Sequence, residues 1–260
     1  MQHALLLRHS TGCAFVALSV AVLAAYCSHA AAQNSTAIEP ATGDWDLKGQ
    51  LTSIVQQKPS FKAAYSGENS LDTTRAKSRS TTATLYMGVR AWRDGELFFN
   101  PEMALGIPFS GLTGLGGFTN GELAKTSGAS PVVYRARLFG RHTWSLGERS
   151  EVVDADQNQL PDRLAANRVV FTFGNVSAID IFDDNLYSHE PRRQFLNWSL
   201  MTHGAWDYPA DARGYTWGLA AEYLSPTWSV RAGRFLQPLE SNGLRLNSQI
   251  GNSYGDVIEV

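Results

Sequence analysis

Three arginines fall at odd positions of one run, Arg135, Arg137 and Arg141, so an extended backbone would carry all three on one face. Further along the chain, Asp180, Asp183, Asp184, Glu190, Asp207 and Asp211 are interleaved with Phe182, Tyr187, Phe195, Trp198, Trp206 and Tyr208. Guanidinium and carboxylate groups make charge-assisted hydrogen bonds to hydroxyls, and aromatic planes cover apolar ring faces. This is equipment for holding a polyhydroxylated solute weakly. Covalent chemistry is less well served. Cleavage of a glycosidic bond needs two carboxylates flanking that bond, and Asp183 and Asp184 are neighbours in the chain. The Asp154, Asp156, Asn158 and Asp162 oxygens alternate as in some calcium loops, but the glycine that makes the sharp turn there is missing, so an acidic turn is expected. His142, His189 and His203 have no partner at a metal-ligand spacing. We expect no enzyme, no cofactor and no metal.

Those residues need elements to position them. The period-two test gives strands at 83–92, 132–145, 215–224 and 228–236. In the first, Ala83, Leu85, Met87, Val89 and Ala91 oppose Thr84, Tyr86, Gly88, Arg90 and Trp92. Arg90 and Arg231 take positions comparable to the three arginines, and Arg234 breaks the alternation of its strand. Weaker strands are expected at 46–57, 61–67, 96–105, 168–176 and 254–260. The strong segments have the length and aromatic ends of tilted membrane strands. Several arginines on one strand face suit a water-filled lumen better than a sandwich core. The connection 180–213 is too long for a hairpin, where loops of about 2–5 residues dominate, and folded inward against an arginine wall it would create a polar constriction. The segment 111–128, with Asn120 and Glu122, is a second candidate loop.

Residues 1–32 have the form of a cleaved secretory signal peptide: Arg8, an apolar run from Cys13 to Ala25, and the small residues Ala30, Ala31 and Ala32. Residues 33–44 form a polar, flexible lead-in, and 45–260 the folded body. Both cysteines lie in the leader, so no disulfide is expected in the body. Losing the leader moves the net charge only from -2 to -3, because Arg8 is its one formal charge. No basic stripe invites nucleic acid. No later apolar run reaches the ~20 residues of a membrane helix.

The order Asn100-Pro101-Glu102, the glycine-rich run 111–117 before Phe118, Asn120-Gly121-Glu122, Tyr134 to Phe139, Arg168 to Gly174 and above all Asp180 to Gly218 resembles the carbohydrate-selective porins of the Gram-negative outer membrane, the OprB family. The most specific part runs through Asp180, Asp183, Asp184, Asn185, Pro191, Arg192, Asn197, Trp198, Trp206, Asp207, Tyr208, Gly214 and Tyr215. The resemblance implies an all-β, antiparallel transmembrane barrel in the outer membrane, surrounded by lipid and passing small sugars such as glucose by passive diffusion, with a homotrimer for a full-length chain. On that reading Arg90, Arg135, Arg137, Arg141, Glu122, Asp180, Asp183, Asp184, Trp198 and Arg231 line the pore. Family barrels of roughly 16–18 strands need about 400 residues at roughly 10 per strand. Eight or nine strands are legible here, and the chain stops at Ile258, Glu259 and Val260 within what resembles another strand, so an incomplete, N-terminal half of a barrel is expected. The alternative is a secreted or periplasmic soluble β-sheet protein that binds carbohydrate.

Overall fold

The computed structural model describes residues 43–126, 128–204 and 206–260. The expected signal peptide (1–32) and most of the lead-in (33–44) lie outside them. Ten strands form among the described residues: β1 (Trp45–Lys58), β2 (Ala76–Trp92), β3 (Gly95–Ile107), β4 (Val132–Ser145), β5 (Arg149–Val153), β6 (Asp162–Ala165), β7 (Arg168–Val176), β8 (Thr216–Leu224), β9 (Ser229–Leu236) and β10 (Tyr254–Glu259). Helical structure among the described residues is confined to short 3-10 turns, and none is a helix long and apolar enough to cross a membrane.

Eight strands make one sheet in the order β1-β2-β3-β4-β7-β8-β9-β10, with every neighbour antiparallel; β5 and β6 pair separately. The chain is therefore all-β, and the sheet is open. The four strongly alternating segments and those near 46–57, 96–105, 168–176 and 254–260 are strands. The segment 61–67 is irregular, and the β5–β6 hairpin has no clear alternation to announce it.

Polarity is inverted relative to a soluble sheet. On β2 the buried side chains are Ser78, Ser80, Thr82, Thr84 and Tyr86, while Leu85, Met87 and Val89 are exposed. The cross-strand partners of the exposed set repeat it: Leu47 opposes Met87, Met87 opposes Phe99, Val89 opposes Leu97, and Phe99 opposes Leu138. Exposure reaches 56% at Leu47 and 45% at Leu219, against 1% at Thr82 and Glu102. One face of the sheet is thus apolar and open; the other is polar and covered.

The ends of the sheet differ as well. At one end lie the turn at 93–94, the turn at 225–228 and the β5–β6 insertion. At the other lie four longer connections, 59–75, 108–131, 177–215 and 237–253. Trp45, Trp92, Trp144 and Trp228 stand exposed near the short-turn end.

The covering of the polar face differs along the sheet. Over β4, β7, β8 and β9, Ile181 and Phe182 of the 177–215 segment and Leu160 of the β5–β6 insertion pack with Phe98, Phe139, Ala220 and Phe235 in an apolar core. Phe182 meets Phe235 edge-on, with ring centres 6.0 Å apart. Over β2 and β3 the cover is ionic.

Candidate functional site

The 177–215 segment leaves β7 and returns to β8 through a tied neck. Ser177 Oγ donates to the Gly214 carbonyl at 2.8 Å, and the Ser177 amide donates to Asp180 Oδ2 at 3.0 Å. Asp211 Oδ1 accepts the amides of Arg213 and Tyr215 at 2.8 and 3.1 Å. Burial nevertheless raises the Asp211 carboxyl above its ordinary pKa, outweighing these bonds. The Asp180 carboxylate takes the Arg137 fork, Nε at 2.7 Å and Nη2 at 2.6 Å, a bidentate pair that fastens the start of the segment to β4.

Arg192 fastens its middle. Its side chain is 3% exposed and divides its donors between two buried carboxylates: Nη2 to Glu102 at 2.6 Å and Nε to Glu122 at 2.7 Å. Nη1 donates to Thr84 at 3.0 Å. Lys125 completes the set, 3.1 Å from Glu122 and 3.9 Å from Glu102. Glu102 also accepts from Thr84 at 2.5 Å and from Tyr134, and Glu122 accepts from Thr82 at 2.8 Å. Two carboxylates and two cations make a neutral, hydrogen-bonded group, which is the condition for burying charge. Burial opposes ionisation of Glu122, yet Lys125 and Arg192 outweigh it and hold that carboxyl below its usual range. For Lys125 burial works the other way, and Glu122, Tyr215 and Glu102 override it to hold the ammonium charged. Away from this group, burial pushes the Tyr208 hydroxyl up to about 12.

Between the 177–215 segment, the β5–β6 insertion and the polar face lies a cavity of about 420 Å³. Tyr86, Arg137, Phe139, Arg141, Thr172 and Glu222 line it from the sheet; Asp180, Trp198, Tyr208 and Arg213 line it from the segment; Asn158 and Gln159 line it from the insertion. Most of its charges are paired nearby. Arg141 holds Glu96 at 2.7 Å, and Arg231 holds Glu222 at 3.0 Å. Arg213 lies over the Tyr134 ring, 4.3 Å from its centre. With most of its charges paired, the site offers hydroxyl, amide and guanidinium groups that can hydrogen-bond a polar solute.

Of the expected lining residues, Arg137, Arg141, Asp180 and Trp198 meet at this cavity. Arg135 is a correction. The β3–β4 register jumps from Asn100 opposite Arg137 to Pro101 opposite Arg135, leaving Ala136 as an extra residue. Arg135 therefore turns to the outer face, where it stacks over Trp217 at 5.1 Å and donates to Asn175 at 3.2 Å. Pro101 has no N–H to lose from the ladder at this break. Gly174, across from the distorted strand, has φ +131, and a Cβ there would stand 2.6 Å from the Leu138 carbonyl, so only glycine fits.

The others are spent on structure. Glu122 is sealed in the ionic group. Arg90 pairs with Asp162 at 3.0 Å in a smaller cavity of about 160 Å³. Arg231 bridges Glu222 and Glu259. Asp183 accepts the His203 amide at 2.6 Å, within its own segment. The Asp184 side chain is 60% exposed and stands 3.9 Å from His189. Among the described residues, no three carboxylate, histidine or cysteine side chains converge on a metal position, the acidic turn near Asp156 included. Reading the sequence did not single out Lys125 or Gln50, and it named Arg192 and Glu102 only as part of the resemblance, with no role for either. The available signal was charge balance: Glu102 lies on the polar face of a strand, and a buried carboxylate demands a cation. No protein-family model, curated protein or solved structure matches this chain.

Proposed function

We propose that this chain builds wall and constriction of a porin-type outer-membrane barrel for passive diffusion of carbohydrates, exported by way of residues 1–32. The observation that carries the reading is the inverted sheet: an exposed apolar face backed by a buried polar face onto which a long connection folds. On β2 the outward apolar set runs from Ala83 to Ala91, and Lys77, Arg79 and Thr81 precede it on the same face. Nine residues at about 3.3 Å each, tilted by roughly 40°, cover close to the ~25 Å apolar band of such barrels. Exposed tryptophans near one border, and short turns at one end against long connections at the other, fit the same architecture. The resemblance of residues 100–218 to the carbohydrate-selective porins supplies the solute class, and the charge-matched cavity agrees with it.

A soluble carbohydrate-binding sheet would have to leave Leu47, Met87, Phe99, Leu138, Phe173 and Leu219 in water as one contiguous surface, which soluble monomers rarely do. The deciding experiment expresses the full chain in a Gram-negative strain lacking its own sugar porins. Outer-membrane fractionation together with uptake of labelled glucose supports the proposal. A chain that stays in aqueous solution without detergent and gives no uptake overturns it.

A further inference from the structure

We infer that the constriction has two jaws and that the second is the tip of the β5–β6 insertion, residues 154–160, entering from the end opposite the 177–215 segment. The inference rests on the porin reading above. The other connections at the short-turn end, 93–94 and 225–228, are tight, whereas 146–167 is long. Its extra length is laid along the polar face.

Asp162 takes Arg90 at 3.0 Å at the base. Leu160, 2% exposed, is buried with Phe98 and Phe139. Above it the Asn158 carbonyl accepts from Arg141 at 3.1 Å. The tip turns on the Asp156–Gln159 bridge, with Asn158 in the left-handed region at φ 56, which asparagine tolerates. Gln157 then reaches β1, where its Nε2 donates to Gln50 Oε1 at 2.9 Å. That same oxygen accepts Tyr86 OH at 3.0 Å and lies 3.5 Å from Arg192 Nη1. One amide oxygen thus joins an insertion from one end of the sheet to the anchor of a segment from the other. Asp156 and Arg193, 4.0 Å apart, form a second point of approach.

Gln157 and Asn158 line the large cavity across which Arg137, Asp180 and Arg213 stand, so the bulk of their side chains controls which solutes pass.

The test compares uptake of labelled glucose and of a labelled trisaccharide in the porin-deficient strain carrying the full chain. Trimming the tip by Gln157→Gly with Asn158→Gly keeps the left-handed position and should admit the trisaccharide that the unaltered chain excludes. Filling it by Gln157→Trp should abolish glucose uptake. Folding of each variant is checked in an Arg193→Lys background, where carbodiimide should link the new amine to Asp156. Folded variants with the solute range of the unaltered chain overturn the inference and leave the porin reading standing. An unaltered chain that stays in aqueous solution without detergent and gives no uptake overturns both.

Discussion

At the scale of the residue, the molecule turns on where its charges find partners. Arg192 satisfies two carboxylates at once, so Arg192→Ala leaves Glu102 and Glu122 buried with only Lys125 between them. Breaking a buried pair in this way costs about 3–5 kcal/mol, to be read from chemical unfolding in detergent. Arg192→Lys should restore only part of that, because a single ammonium lacks the fork that reaches both acids. Glu122 sets the pH response of the contact. Its carboxyl titrates below the ordinary value of 4.5 in the folded chain, so its contribution is complete above that value and is lost as pH falls through the lowered one. The hydrogen-exchange protection factors of residues 121–125, taken relative to the intrinsic amide rate at each pH, should therefore be unchanged between pH 7 and pH 5 and fall only in stronger acid; a fall already by pH 5 would remove Glu122 from this role. Arg135 and Arg137 should now behave differently: Arg137→Ala alters sugar uptake, and Arg135→Ala, on the outer face, does not. That division was not legible from spacing. Three arginines at odd positions promise a common face only while the strand keeps phase, and Ala136 gives no sign of being the residue that breaks it. The aromatic and acidic character of 180–213 was legible, but its anchor is a cation whose partners lie far away in sequence.

At the scale of the element, strand alternation carried most of the fold, because an inverted sheet obeys the same period of two as a soluble one. Val132–Ser145 and Arg168–Val176 form over the residues their pattern marks. The N-terminal half of β2 escaped because Lys77, Arg79 and Thr81 face outward beyond the apolar band, so both of its faces are polar there. Residues 61–67 failed as a strand; Phe61 alternates with charged and small residues but finds no neighbouring strand to complete a ladder. Of the β5–β6 insertion, only the acidic turn from Asp154 to Asp162 was visible in the sequence. The β4 irregularity makes a sharp prediction for nitroxide labels placed singly along 132–145 in lipid. Labels at 138, 140, 142 and 144 should meet lipid-soluble oxygen, and those at 137, 139 and 141 should not. Labels at 133 and 135 should again meet oxygen, so the alternation slips by one residue at Ala136. An unbroken period of two from 133 to 144 would put Arg135 back beside Arg137 and remove the bulge.

At the scale of the whole molecule, the open sheet sets a condition on any membrane form. Among the described residues, β1 and β10 each pair on one side only. In hydrocarbon every unpaired backbone group costs several kcal/mol, and β1 alone has 14 residues, so neither edge can face lipid. Self-closure is no remedy. An eight-stranded barrel has an interior only wide enough for side chains to fill, whereas this polar face already holds residues 154–160, most of 177–215 and a cavity of about 420 Å³. Both edges must therefore be covered by further strands, whether from more of the same polypeptide or from another. The geometry allows it, because β1 climbs away from the short-turn end and β10 descends towards it, so an added sheet of even strand number continues the antiparallel ladder across both seams. The 260-residue chain, folded in detergent micelles, should accordingly appear in native mass spectrometry as assemblies heavier than one chain. The amides of β1 and β10 should be protected from hydrogen exchange only in those assemblies. A folded single-chain particle inserted in a bilayer, with β1 and β10 amides exchanging freely, would mean that this sheet does not sit in hydrocarbon, and the apolar face would then need another cover.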